Sequence, residues 1–339
     1  MYKLRILSQE HTEQVLDLST VIADIEKVYT MKAHQKGQLF PMVFHEFNPG
    51  VADMDIKSGA LEEAGIWGLK VVSWFGENAA KGLPLLSGTV LVYDIHTGVP
   101  IGILSAEHLT AMRTGAAGAI GAKILAKKSS KNLLIIGAGH QAPYQIAATL
   151  LVLPEIKTVR VFDPKDENNA KKLVSEIRSK LDEFFHVPYH PDLSFQTVDD
   201  LQDATGDSDI IITVTPARQP IIMKDWVKEG THFSCVGADM SGKQEIDGSI
   251  FADAKIFVDD YIQAINVGEC EIPLKEGIIS EDSIIGEIGE VINGTKTGRT
   301  NDKEITIFDS TGIALQDLMV SSSALKVAEE KNIGTVVEL

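Results

Sequence analysis

The stretch Leu133-Leu134-Ile135-Ile136-Gly137-Ala138-Gly139-His140-Gln141-Ala142 sets an apolar run of strand length directly before a G-x-G-x-x-A loop, and a helical stretch, Tyr144–Leu151, follows. That order constrains the fold more than any other feature of the chain. A strand buried on both faces, a glycine turn and a helix in succession open a doubly wound α/β sheet. Gly137 permits the tight turn, Gly139 lets backbone approach a pyrophosphate with no Cβ in the way, and Ala142 allows close helix–strand packing. The helix N-terminus offers unpaired N–H groups and a partial positive charge to phosphates. Asp163 ends the next apolar run, Thr158–Phe162, 24 residues after Gly139. A carboxylate there accepts from a ribose 2′-OH and repels a 2′-phosphate, so a dinucleotide site preferring NAD to NADP is expected. The alternative for Asp163 is a turn residue ahead of Pro164, and Lys165 stands close enough to blur the choice of cofactor.

The alternation continues downstream. Glu167–Phe185 reads as a charged helix, and Ser194–Val198, Ile210–Val214, His232–Val236, Ile256–Val258 and Glu304–Phe308 read as strands. Apolar strands alternating with helices indicate a parallel sheet. Upstream, Glu13 to about Gln35 carries Val15, Leu18, Val21, Ile22, Ile25 and Val28 at helical spacing. From Leu39 to Pro100 short strand-like runs, such as Trp67–Phe75 and Gly88–Tyr93, alternate with Gly, Asn and Pro. A long helix rich in small residues follows, about Glu107 to Lys127, and the tail Ile313–Asn332 reads as a helix stopped by Gly334. The α/β region uses its own sequence for its layers, so the tail is expected to return to the N-terminal part, with the α/β region as an insertion.

The chain of 339 residues carries 48 acidic against 31 basic residues, a formal net charge of −17. Such a protein lacks the positive field that nucleic-acid binding requires and is repelled by anionic lipid. Its anions must be held locally, by helix ends and single cations. Two cysteines, Cys235 and Cys270, form no disulfide framework, and no Cys/His cluster at zinc spacing exists, so no metal is expected. No apolar run reaches membrane-span length, and the N-terminus turns polar at Ser8-Gln9-Glu10. A soluble protein of the reducing cytoplasm, with no membrane or nucleic-acid partner, is the expectation.

Three residues stand out as candidates for chemistry. Lys70 sits inside the apolar run Ile66–Phe75, where burial would lower its pKa and make it a proton donor; otherwise it is an edge lysine reaching solvent. Arg113 lies among small residues in Ala111-Met112-Arg113-Thr114-Gly115-Ala116-Ala117, where its planar fork suits a carboxylate or phosphate, or a solvated salt bridge. Asp239 follows the strand His232–Val236, at the strand end where ligands bind in doubly wound folds; an Asx-turn is the alternative.

Arg113-Thr114-Gly115-Ala116-Ala117, the Gly137–Ala142 loop, Val236-Gly237-Ala238-Asp239 with Gly242-Lys243-Gln244-Glu245, and Ser310-Thr311-Gly312-Ile313-Ala314-Leu315-Gln316-Asp317 occur in one order. Together they closely resemble the ornithine cyclodeaminase/mu-crystallin family, near its archaeal-type alanine dehydrogenase branch. The resemblance implies a homodimer with a Rossmann domain, residues 116–312, inserted into an α+β substrate and dimerisation domain formed by residues 1–115 and 313–339. It matches Lys70 and Arg113 to substrate contacts, Arg113 holding the α-carboxylate, and Asp239 to the acid–base aspartate, with Lys70 the other catalytic candidate. It puts Thr114, Gly137, Gly139, His140, Gln141, Ala142, Asp163, Thr215, Val236, Gly237, Lys243 and Ser310 on cofactor-contacting positions. The implied activity is NAD-dependent oxidative deamination or reductive amination of a small amino acid or its imine. Ornithine cyclodeamination and a ketimine reductase or mu-crystallin-like binding role are the alternatives.

The sequence departs from the family on the substrate side. A second carboxylate-clamping Arg or Lys is usual after the first Pro-containing strand, whereas Phe40-Pro41-Met42-Val43-Phe44-His45 has no such cation in register. His45 and Lys57 are the candidates to replace it. Leu85 stands after Gly82-Leu83-Pro84 where cyclodeaminases carry Thr.

Overall fold

A computed structural model describes residues 1–78 and 80–339. The first half of the chain runs β1 (Lys3–Leu7), α1 (Gln9–Val15), α2 (Leu18–Ala33), β2 (Gly37–Leu39), β3 (Val43–Asn48), β4 (Ala52–Leu61), β5 (Ile66–Phe75), β6 (Leu86–Asp94), β7 (Pro100–Ser105) and α3 (Glu107–Leu125). Then come β8 (Asn132–Ile136), α4 (Ala142–Val152), β9 (Thr158–Phe162), α5 (Glu167–Ser179), β10 (Ser194–Thr197), α6 (Leu201–Asp207), β11 (Ile210–Thr213), β12 (Arg218–Ile222), β13 (His232–Cys235) and β14 (Gln244–Ile246). The chain closes with β15 (Ala254–Val258), α7 (Tyr261–Val267), α8 (Glu271–Lys275), β16 (Ile284–Glu287), α9 (Ile288–Ile292), β17 (Ile305–Asp309), α10 (Ala314–Glu330) and β18 (Thr335–Glu338). Two compact units result: Met1–Arg113 with Ile313–Leu339, and Thr114–Gly312.

In the first unit one sheet runs β18-β1-β7-β6-β5-β4-β2, with β3 also paired to β4. The β4–β5 pair is antiparallel and unbroken from Ala52↔Phe75 to Leu61↔Ile66. α10 lies against one face of this sheet because glycines clear its path. A Cβ on Gly68 of β5 would stand 2.8 Å from Leu318, and one on Gly102 of β7 would stand 2.5 Å from Leu325. The apolar stripe of α2, including Val21, Ile25 and Val28, is buried, and α2 packs on α10.

The helix expected over Glu13–Gln35 is two helices, because Leu16 is extended and the Asp17 side chain accepts from Thr20 N–H, capping α2. A side chain able to cap competes with helix continuation. The tail helix ends at Glu330, and Asn332 takes the left-handed conformation at φ 54° before Gly334. β18 then pairs antiparallel with β1, Lys3 opposite Glu338, a strand that short exposed residues did not announce. Finally, the helix expected over Glu167–Phe185 is α-helical only to Ser179 and continues as a π-helical turn, Lys180–Phe185, stopped by left-handed His186.

The second unit is the doubly wound parallel sheet. Its order is β10-β9-β8-β11-β13-β17-β15-β16, and every pair is parallel. Leu133–Ile136 and Ile210–Ile212 are fully buried, as expected of strands covered on both faces. Strand order reverses between β8 and β11, and ligands in such folds bind outside the carboxyl ends of the strands at that switch point. Among the described residues no helix is long and apolar enough to cross a membrane.

Candidate functional site

The glycine loop occupies the switch point. Gly137 holds φ 102°, which favours glycine, and its N–H donates to Phe162 O at 2.7 Å. A Cβ built on Gly139 meets nothing within 4 Å, so this flank of the loop is open. Gln141 precedes α4 without a side-chain cap, and its own Oε1 is buried with no partner. An open glycine flank and an uncapped helix start fit a bound pyrophosphate. Ala142 is fully buried, and the His140 ring lies 5.5 Å from that of Tyr144.

Asp163 anchors this loop. One oxygen accepts from Ala138 N–H at 2.9 Å, and the other from the N–H groups of Lys165 and Asp166 at 3.0 Å each. Burial raises its pKa, but these donors outweigh it and hold the carboxyl below its usual range. Asp163 is therefore the turn residue and the loop anchor at once.

Further along the strand ends, buried acids hold the loops by their amides. Glu245, fully buried on β14, takes four donors: Thr213 Oγ1 at 2.7 Å, Thr215 N–H at 2.6 Å, Thr215 Oγ1 at 2.8 Å and Gly237 N–H at 3.0 Å. Glu269 accepts from the N–H groups of Glu245 and Ile246, and its second oxygen is buried and bare. Asp309 accepts from Cys270 N–H at 3.0 Å. Asp259 accepts from Ser310 Oγ, Thr311 Oγ1 and Gly312 N–H. The donor groups of Thr215, Gly237 and Ser310 named here are thus committed to carboxylates. The carbonyl of Thr114 accepts from Gln145 Nε2, and Val236 is buried at the end of β13.

Burial raises the Glu245 and Asp309 carboxyls to about 7, and burial with the nearby Glu245 charge pushes Glu269 well above the usual range. Between the ordinary carboxylate range and about 7, the folded chain keeps protons that the unfolded chain releases. The stability that Glu245 and Asp309 contribute is complete at acid pH and is lost as pH rises through about 7. The apparent Tm of the wild type is expected to fall over that interval. Glu269→Gln keeps the neutral shape and should melt at a higher temperature than wild type at pH 8. An equal or lower melting point at pH 8 would contradict this assignment.

Asp239 lies in the loop after β13 and is paired with Lys243, whose ammonium also reaches Gly237 O at 3.4 Å. The Asp239 carboxylate is 49% exposed, open enough to meet a ligand.

Lys70 and Arg113 belong to the other unit, where both converge on one carboxylate. Lys70 Nζ is 2.9 Å from Asp317 Oδ1, and Arg113 Nε donates to the same oxygen at 3.2 Å. Lys70 is 4% exposed, so it is a buried residue and does not reach solvent from a sheet edge. Its desolvation, against the attraction of Asp317 and with repulsion from Arg113 and Lys57, lowers its pKa to about 8. Burial raises the Asp317 carboxyl, but Lys70 and Arg113 outweigh it and hold it below its usual range. Gln316 Oε1 accepts from Arg113 Nη1 at 3.5 Å and from Ile313 N–H, while its Nε2 donates to the Tyr29 hydroxyl at 2.7 Å. Asp317 Oδ2 is buried without a partner. Two cations around one half-satisfied carboxylate make a site suited to a second carboxylate.

Asp317, Gln316, Tyr29, Glu245 and Asp259 carry this architecture and were not singled out from the sequence. Asp317 sits in the first turn of α10, where an acid is ordinary, and its partner Lys70 is 247 residues away. The stretches Ser310–Asp317 and Gly242–Glu245, which carry the family resemblance, contain Gln316, Asp317 and Glu245.

The sequence profile of the ornithine cyclodeaminase/mu-crystallin family matches residues 3–332. The alanine dehydrogenase of Archaeoglobus fulgidus is 37% identical over 333 residues, covering 98% of each chain. An archaeal alanine dehydrogenase dimer solved with bound NAD superposes with a TM-score of 0.91 at 36% identity, covering 100% of both chains. The Thermococcus litoralis Δ1-pyrroline-2-carboxylate reductase, solved with NADH and L-proline, superposes at 0.89 and 34% identity, covering 98% of this chain and 99% of that one.

Proposed function

The chain belongs to the ornithine cyclodeaminase/mu-crystallin family, and on that premise we propose that it is an NAD-dependent enzyme that oxidatively deaminates a small α-amino acid and reductively aminates the matching imine. The observation that carries this reading is the Lys70–Asp317–Arg113 cluster, a buried cationic site with a bare carboxylate oxygen. Similarity to an alanine dehydrogenase and to an imine reductase solved with NADH supports it.

In this reading the 114–312 unit binds NAD and the remainder binds substrate. Gly137, Gly139, His140, Gln141 and Ala142 hold the pyrophosphate, and Asp163 orders that loop and meets the adenosine ribose. Thr114, Thr215, Val236, Gly237, Lys243 and Ser310 add contacts through atoms not already committed to the buried acids. When bound, NAD supplies a hydride acceptor for the substrate Cα–H. The Arg113 fork and the Lys70 ammonium hold the α-carboxylate and so orient that Cα–H. With a pKa of about 8, Lys70 carries its proton at neutral pH and gives it up within a pH unit or so of neutrality. The Asp239 carboxylate takes the proton of the water that adds to the imine carbon and returns it to the departing amine.

The test is purified protein with NAD and alanine, ornithine, lysine or arginine, with NADH and ammonia followed separately. NADH accumulating together with ammonia supports the dehydrogenase. Ammonia and proline from ornithine without NADH would assign cyclodeamination instead. Neither outcome, with no imine reduction by NADH, would remove the enzyme reading.

A pairing with a second copy of the chain is part of the same proposal. Phe44, Phe47, Phe75, Leu83, Leu85 and Leu86 are all exposed within the first unit, and the Phe47 and Phe75 rings lie 5.7 Å apart. Apolar patches of this kind mark protein–protein contacts. Sedimentation should report a dimer that Phe47→Asp weakens; a wild-type monomer would end the idea.

A further inference from the structure

We propose that Lys57 is the third cation of the substrate site and contacts the substrate carboxylate beside Arg113, an inference that rests on the amino-acid reading above. The β4–β5 register sets Lys57 directly opposite Lys70. Residues directly opposite in an antiparallel pair project to the same face, with Cβ atoms about 5 Å apart. The same face receives α10: Gly59 and Gly68, whose positions alternate in step with Lys57 and Lys70, lie against Leu315 and Leu318. Asp317 is on that helix, and Lys57 lies near enough for its charge to act on both Asp317 and Lys70.

Two like charges directly opposite in a sheet repel. Asp317 answers Lys70 and Arg113 with one oxygen and leaves the other bare. Asp53 and Asp55 precede Lys57 on the same face of β4, so the neighbourhood is mixed in sign and not simply cationic. Lys57 is half-buried where Lys70 is buried, as expected of a group at the mouth of a site whose floor is the Lys70–Asp317 pair. His45, the other residue able to supply a cation from this region, is opposite Met54. Met54 and Lys57 project to opposite faces of β4, so strand alternation turns His45 away from Lys70, and its ring stacks edge-on with Phe47 at 5.0 Å.

Lys57→Met keeps the length and apolar stem of the side chain and removes the charge. The amino-acid KM is expected to rise about tenfold or more, the loss of one charge-assisted contact, while kcat and the NAD dissociation constant stay within about twofold. Lys57→Arg should restore most of the KM, and His45→Ala should leave it unchanged. An unchanged KM in Lys57→Met, or an equal rise in His45→Ala, would overturn the inference while leaving the amino-acid reading in place. Wild-type protein without turnover on any amino acid or imine would overturn both.

Discussion

Asp317→Ala is expected to destabilise the protein by about 3–5 kcal/mol, the cost of removing one partner from a buried ion pair and leaving the other charged. Lys70 Nζ and Arg113 Nε share Asp317 Oδ1, and the two side chains are 3% and 10% exposed, so neither cation finds compensating water. The apparent Tm should fall by roughly 10 °C. Removing Lys70 as well, in Asp317→Ala with Lys70→Met, should recover part of the loss, because only Arg113 then remains unpaired. The coupling between the two substitutions is expected to be on the order of 1–3 kcal/mol. A loss below about 1 kcal/mol in the single variant would mean that the cluster is wetter than its burial indicates.

Asp239→Asn is expected to leave stability and NAD affinity nearly unchanged and to lower kcat by about 10²–10⁴-fold, the range of a positioned acid–base group. The side chain is 49% exposed on a loop and its ion pair is with Lys243 four residues on, so the fold depends little on it. NAD titration monitored by calorimetry separates the two effects. A parallel loss of NAD affinity and turnover would make Asp239 a cofactor-positioning residue.

These two residues differ in how far the sequence revealed them. Asp239 follows an apolar strand in a region of alternating strands and helices, and acids at such strand ends are conspicuous. Asp317 is one acid in the first turn of a helix, and only folding brings it to Lys70. The doubly wound sheet was legible for the same local reason as Asp239: its strands are covered on both faces, so Leu133–Ile136 and Ile210–Ile212 read as unbroken apolar runs. Glu245 was illegible because its four donors come from the ends of two neighbouring strands, and nothing around Gly242-Lys243-Gln244-Glu245 indicates them. The break between α1 and α2 went unread because helical spacing of apolar residues continues across it while Asp17 caps the second helix.

The buried acids also sharpen what the net charge of −17 means. Glu245, Asp259, Glu269 and Asp309 bind loop amides and hydroxyls instead of cations, so part of the acidity builds the strand-end loops of the Rossmann unit. Two buried cations, Lys70 of β5 and Arg113 of α3, lie instead in the other unit, and both meet Asp317 of α10.

Direct hydride transfer from the Cα of an amino acid to NAD is the step on which the proposed function rests. Its most direct measurement uses Cα-deuterated alanine, or whichever amino acid the panel identifies, with wild-type protein and NAD, and follows deuterium by NMR of the recovered cofactor. Deuterium on the nicotinamide ring of the NADH formed, absent in the Asp239→Asn control over the same time, is the expected result. NADH without deuterium, or ammonia release with the label washed into water, would contradict it.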